Sequence, residues 1–337
     1  MKKKKLLASI SLDLDDQWSY MKVHGDEGWE TFPSYLDVVI PIVLDMLDKL
    51  QIKITFFVVG QDAAIEKNHK VLRSIVERGH EVGNHSFHHE SWLKTYSKEK
   101  IEAEIITAEE AIFKATGQRT NSFRGPGFSW SNDLLEVLQK RNYIFDASIL
   151  PTYISPLMRR YYFWKSKLSK EEKESRKELF GSIKEGFYPL KPYTWIFENK
   201  KTLLEIPVTT IPVFKIPFHQ SYLLYISGVS LRLMRMYLRF AILMCKITKT
   251  QPSYLLHPLD LIGKDDVPAL AFFPGMNIKS EQKLKIFEMA IQILKQNFEL
   301  LPMSEFSKRL SPDMKSISLK TNSNPEQKLT LANSNVI

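Results

Sequence analysis

Cysteine is nearly absent from this chain. One residue, Cys245, among 337 excludes an intramolecular disulfide and suits a reducing compartment. No secretory leader is expected either. Lys2, Lys3, Lys4 and Lys5 precede only a short apolar stretch, and the cluster Asp13-Leu14-Asp15-Asp16 arrives where a cleavage site would lie. That stretch reads instead as a first β-strand over residues 6–14, and a cytoplasmic location is expected. No G-x-G-x-x-G follows this strand, which argues against a dinucleotide-binding Rossmann sheet. Residues 228–250 are strongly apolar, but arginines sit too centrally in them for a membrane-spanning helix.

The formal net charge of +9 points toward acidic partners, whether anionic lipid, phosphate or nucleic acid, without choosing among them. The basic residues form no aromatic-interleaved motif, so nucleic acid is not an expected partner. Apolar and aromatic residues suffice for a sizeable core, and length alone leaves one large domain or two small ones.

Along the chain, apolar strand-like runs alternate with helical patterns. Val38, Val39, Ile42, Val43, Met46 and Leu47 share a helical face, and residues 52–60 form a buried strand ending at Gly60. A helix over 63–78 closes on Gly79 as its C-cap, and one over 98–116 ends at Gly117. Further strands are expected at 81–84, 121–124, 143–148, 203–208, 253–257 and 298–301, with a helix over 280–296. Strands alternating with helices imply parallel pairing with crossovers. Polar residues recurring at strand ends imply an α/β fold of the (β/α) barrel kind, with its chemistry on that rim. An aromatic and charged insertion over 153–201 interrupts the pattern, and its run 167–177 reads as a solvated helix. Residues 311–337, poor in aromatics and rich in Ser, Asn and Lys, are expected to be disordered.

The polar strand ends carry the chemistry. Three histidines fall within His85-Ser86-Phe87-His88-His89, and a helical turn there would put His85 and His89 on one side. Two histidines with one carboxylate are a common ligand set for catalytic zinc. The other strand ends are Asp15-Asp16, Arg124-Gly125-Pro126-Gly127, Asp146-Ala147-Ser148 and Leu255-Leu256-His257-Pro258.

In this order the set resembles the NodB-like polysaccharide deacetylases, carbohydrate esterase family 4, over residues 10–310 apart from the insertions. The resemblance implies a distorted (β/α) barrel of about seven strands with helical and aromatic insertions. It also implies a hydrolase that uses one divalent metal ion, zinc being the first expectation, to remove an N-acyl group, chiefly acetyl, from a sugar. By the family's pattern Asp16, His85 and His89 are the metal ligands, Asp15 is the general base, and His88 is the spare histidine. His257 is the general acid, Arg124 holds the base aspartate, and Gly127 offers a backbone N–H to the oxyanion. Asp146 has two readings, tuning His257 or capping a turn. Asp13 stays open as an alternative base, because strand alternation puts it on one face with Asp15.

These residue types suit amide hydrolysis. A metal polarises the poor electrophile and lowers the pKa of bound water toward ~7, while a histidine titrating near neutrality protonates the leaving nitrogen. Two alternatives remain at this stage: hydrolysis of another non-peptide C–N bond, such as a formamide or cyclic ureide, and a non-catalytic glycan-binding protein on the same fold. Residues 228–250 likewise have two readings. One is a helix packed on the barrel with a solvated basic face. The other is an interfacial helix on anionic lipid, holding the chain near a lipid-linked sugar on the inner face of the membrane, with Tyr161, Tyr162, Phe163 and Trp164 as added anchors.

Overall fold

The computed structural model describes residues 5–157, 160, 183–311 and 314–319. Its first strand, β1 (Leu6–Leu14), sets the plan. Alternation sends Ala8, Ile10, Leu12 and Leu14 outward into the main apolar core, and Ser9, Ser11 and Asp13, all buried, to the other face. β1 therefore has an apolar outside and a polar inside.

Around it stand β2 (Thr55–Val58), β3 (Glu81–Asn84), β4 (Ser122–Phe123), β5 (Phe145–Asp146), β6 (Tyr193–Ile196), β7 (Thr202–Glu205), β8 (Ser253–Leu256), β9 (Phe298–Leu301) and β10 (Lys315–Ser318). The sheet order is β10-β6-β7-β5-β4-β3-β2-β1-β8, with β9 paired to β1. All these pairings are parallel except β6 against β7. The seven strands β1 to β5, β7 and β8 make the expected barrel wall. Among the described residues no ladder joins β7 to β8. Thr209 crosses that gap, donating its N–H to the Ser253 carbonyl (3.0 Å) and accepting the Ser253 N–H on its hydroxyl (2.8 Å). The barrel is thus distorted and open in its ladder.

The helices are α1 (Gln17–His24), α2 (Leu36–Leu50), α3 (Gly60–Ala64), α4 (His69–Glu77), α5 (Lys98–Thr116), α6 (Asn132–Lys140), α7 (Gln220–Val229), α8 (Leu231–Ile247), α9 (Ser280–Asn297) and α10 (Met303–Lys308). Leu36, Val39, Ile40, Val43, Leu44 and Leu47 of α2 are buried in the core that includes the outward face of β1. The buried face shares Val39, Val43 and Leu47 with the expected one, while Val38 is exposed and Ile42 and Met46 are half-buried. A separate cluster of Leu7, Phe57, Phe145, Ile206, Met303 and Phe306 packs together from strands and α10, an apolar plug inside the barrel.

Three expectations change. The single helix over 228–250 is two helices, because the Ser230 side chain accepts the Leu233 N–H and caps α8, while Gly228 and Val229 finish α7. The tail expected to be disordered contributes β10, which buries Ile317 beside Trp195 in a second core. The insertion over 153–201 supplies β6, whose alternating Tyr193 and Trp195 face the same core. The aromatic residues 161–165, the charged run 167–177 and residues 320–337 lie outside the described residues. No helix among those described is long and apolar enough to cross a membrane.

Candidate metal centre and catalytic site

β1 delivers three carboxylates at its C-terminal end, and their side chains part. Asp13 and Asp15, two residues apart, face the barrel interior. Asp16 turns away to become the N-cap of α1: its Oδ1 accepts the N–H of Gln17 (2.7 Å) and of Tyr35 (2.9 Å). A carboxylate at a helix N-terminus satisfies otherwise orphaned donors, so this placement has a local cause. Burial raises the Asp16 carboxyl to about 6. Burial and the Asp16 charge push its neighbour Asp62 well above the carboxylate range. Asp62 also accepts the Trp18 indole N–H (2.6 Å).

The histidine segment leaves β3 as a loop, not as the helical turn that its spacing allowed. Ser86 and His89 both adopt left-handed φ, 61° and 53°. Asn84 Oδ1 accepts the Ser86 N–H (2.8 Å), and Glu104 from α5 accepts the backbone N–H groups of Phe87 and His88 (3.0 Å each). The same Glu104 pairs with the His88 ring, so His88 is the spare histidine, as expected. Gly60 lets this loop lie close, since a Cβ there would stand 2.7 Å from the Phe87 ring and from Ala108.

The loop brings His85 and His89 to Asp15. His89 Nε2 is 3.0 Å and His85 Nε2 3.4 Å from Asp15 Oδ1. These three residues, all buried, present one ligand atom each within 4.8 Å of one another. His85 Nδ1 donates to the Arg124 carbonyl (2.6 Å), which orients the ring so that Nε2 faces Asp15. Burial alone would raise the Asp15 carboxyl, but the charges and hydrogen bonds of His89 and His85 hold it well below the usual range. The three residues gathered so that they could hold a metal ion are therefore Asp15, His85 and His89. The motif pattern implies Asp16 as ligand and Asp15 as base. In the structure it is Asp15, one residue earlier, that stands with the two histidines, while Asp13, two residues before Asp15, is the other carboxylate on the same face.

Arg124, wholly buried at the end of β4, meets a different aspartate from the one expected. Its guanidinium donates to Asp13 Oδ1 (2.7 Å), Ser11 Oγ (2.8 Å) and the Ala147 carbonyl (3.0 Å). It also lies 4.5 Å over the Phe57 ring, on top of the apolar plug. The aspartate held by the arginine is Asp13, not Asp15. Removing one partner of such a buried pair strands the other charge. Arg124→Met is accordingly expected to cost about 3–5 kcal/mol, read from the urea unfolding midpoint.

His257, just past β8, reaches in from the far side. Its Nε2 is 4.0 Å from Asp13 Oδ2, and Nδ1 is 3.8 Å from Asp260 Oδ2, which also accepts the His257 N–H (2.9 Å). Burial would lower the imidazole pKa, but Asp260, then Asp13 and Asp15, raise it to about 9. Asp146 is not its partner. It accepts from Ser148 Oγ (2.6 Å) and couples to Glu205, both carboxyls being raised chiefly by burial. Ser148 Oγ in turn accepts the Gly125 N–H (2.8 Å), so Asp146 shapes the Arg124 loop. Gly127 sits in that loop with φ 58°, and a Cβ there would stand 3.1 Å from Ser91. The sequence pointed to neither Asp260, Asp62 nor Glu205. Only Asp260, three residues after His257, had a readable signal, as the acid of a capping box.

Comparison with known proteins bears on the family and the fold. Residues 23–145 match the sequence model of the polysaccharide deacetylase family. A peptidoglycan deacetylase of Helicobacter pylori is 26% identical over 212 residues, covering 60% of this chain and 70% of that protein. The peptidoglycan-N-acetylmuramic acid deacetylase PdaA of Bacillus subtilis is 33% identical over 104 residues, 31% of this chain and 38% of that protein. A crystal structure from Mycobacterium smegmatis, assigned by name to the polysaccharide deacetylases, superposes with a TM-score of 0.57 at 17% identity over 97% of both chains. The last match shows the fold. The resemblance drawn from the motifs is borne out, and the fold adds Asp13, Asp15 and His257, which lie outside the matched segment.

Proposed function

We propose, from a chain that carries the polysaccharide deacetylase pattern over residues 23–145, that it is a metal-dependent hydrolase removing an N-acyl group, chiefly acetyl, from a sugar of a glycan. A lipid-carried glycan falls within that substrate class. The observation that carries the proposal is the joint placement of a ligand set, Asp15, His85 and His89, with two further groups suited to proton transfer, Asp13 and His257. The metal fits this set on chemical grounds. Two imidazoles and one carboxylate, with the His85 ring oriented by the Arg124 carbonyl, suit zinc. When bound, the ion would supply electrophilic polarisation of an amide carbonyl and activation of water.

The remaining roles belong to this chain's own side chains. Asp13, its Oδ1 fixed by Arg124, accepts the proton of the attacking water on Oδ2. His257, charged through neutrality, gives a proton to the leaving nitrogen, without which the amine departs poorly. The Gly127 backbone N–H is assigned to the developing oxyanion. Asp16 and Asp62 keep α1 and the end of β1 in place. Those five polar groups argue for catalysis over passive glycan binding, because a binding module needs no protonated histidine beside a carboxylate.

Metal analysis tests the centre. Wild type and Asp16→Ala are expected to bind one equivalent of zinc, and Asp15→Ala, His85→Ala and His89→Ala little or none. Equal metal in all five proteins would remove the site. Release of free amine from N-acetylated sugars, lipid-linked ones included, then tests the reaction. Failure across that panel, with metal bound, would favour another C–N bond.

A further inference from the structure

Helix α8 is apolar on two faces. Met234, Leu238, Ala241, Ile242 and Cys245 are buried and attach it to the barrel. A second stripe, Leu233, Met236, Phe240, Leu243 and Ile247, follows steps of three and four residues and faces out, and Val229, the last residue of α7, is exposed just before it. The exposure of these residues is large, from 42% at Phe240 to 80% at Val229. Val213 and Phe214 of the turn between Thr210 and Pro217, and Tyr225 of α7, extend the surface. The Phe214 and Phe240 rings are 5.7 Å apart, so the patch is continuous across elements.

Bases border this stripe. Arg232, Arg239 and Lys246 follow one another at seven-residue steps along one side, and Arg235 is also exposed. Among the described residues none of these four forms a salt bridge. No acidic residue occurs between Glu205 and Asp260. The burial of the inner face thus satisfies the packed-helix expectation and leaves the outer face still to be explained.

We propose that this outer face docks on the surface of an anionic lipid bilayer. A contiguous exposed apolar patch with a basic border is what an interfacial helix presents to headgroups and acyl chains. A second copy of the chain fits less well. Helices packed antiparallel on this stripe would set Arg232, Arg239 and Lys246 against one another. Packed parallel, they would face Ser230, Tyr237 and Met244, with no acid to pair. The apolar side chains also stand on three elements, and a single partner helix would cover one of them. The turn that carries Phe214 leads into His219, whose ring lies 6.3 Å from His257, so the docking side borders the proposed active site. The inference does not depend on the reaction assigned to that site.

Co-sedimentation of the full chain with vesicles tests it. Binding is expected to equal parts phosphatidylcholine and phosphatidylglycerol at low salt, to weaken with added salt, and to be absent on phosphatidylcholine alone. Changing Arg232, Arg235 and Arg239 together to Gln should lower the partition on the order of 100-fold, about fivefold for each charge. Met236→Ser with Leu243→Ser should also lower it, and unchanged zinc content shows that both variants stay folded. No binding to the anionic vesicles, or binding indifferent to both variants, overturns the proposal. A concentration-dependent dimer abolished by Met236→Arg would assign the face to a second copy and overturn it equally.

Discussion

Asp13→Asn is expected to lower kcat by about 10²–10⁴-fold while leaving one zinc bound. The reasoning rests on which carboxylate the fold commits to which task. Asp15 is engaged by both His85 and His89, so it belongs with the ligands. Asp16 is occupied by the N–H groups of Gln17 and Tyr35. Asp13 alone is anchored through one oxygen by Arg124 and turns the other toward His257 at 4.0 Å. An asparagine in its place keeps the size and can still accept from Arg124, but it cannot take a proton. Asp15→Asn should behave differently, losing metal together with activity. Asp16→Asn should keep both and lose some stability at the start of α1. The opposite pattern, with Asp13→Asn active and Asp16→Asn devoid of metal, would restore the adjacent pair as base and ligand.

The three aspartates at the end of β1 mark what the sequence could and could not reveal. Strand alternation already placed Asp13 and Asp15 on one face of β1. By the same alternation, Asp15 and Asp16 cannot both look into the barrel. The family's adjacent aspartates favoured that pair, and local backbone needs decided against it, since α1 begins at Gln17 and takes Asp16 as its cap. The histidines, Arg124 and His257 were legible because each ends a strand, where a barrel presents its chemistry. Asp62 and Glu205 were not legible. They meet Asp16 and Asp146 across 46 and 59 residues of chain, and no local pattern marks such pairings. β10 was hidden for a related reason: Lys315–Ser318 has one apolar residue, Ile317, and gains strand structure only by lying parallel to β6. The outward stripe of α8 cannot be separated in sequence from the inward one, because burial of one half and exposure of the other depend on where the rest of the fold falls.

The second large effect concerns the proton donor. His257→Gln is expected to lower kcat by about 10²–10⁴-fold on amide substrates, with metal retained. The pH profile says more than the loss itself. A histidine whose pKa is raised to about 9 carries its proton through neutrality and loses it as the pH climbs past that value. Activity that needs this proton should therefore hold at neutral pH and fall on an alkaline limb near 9. Asp260 is the leading cause of the elevation, accepting the His257 N–H at 2.9 Å while its carboxylate stays 3.8 Å from the ring. Asp260→Asn removes that charge and leaves burial, which acts in the opposite direction. The limb should then move toward lower pH, by about one unit or more for every 1.4 kcal/mol of lost interaction. Asp146→Asn provides the contrast. Its carboxyl is bonded to Ser148 and coupled to Glu205, so the limb should stay where it is even if stability drops. A limb that moves with Asp146→Asn and not with Asp260→Asn would return the tuning role to Asp146 and remove Asp260 from the account.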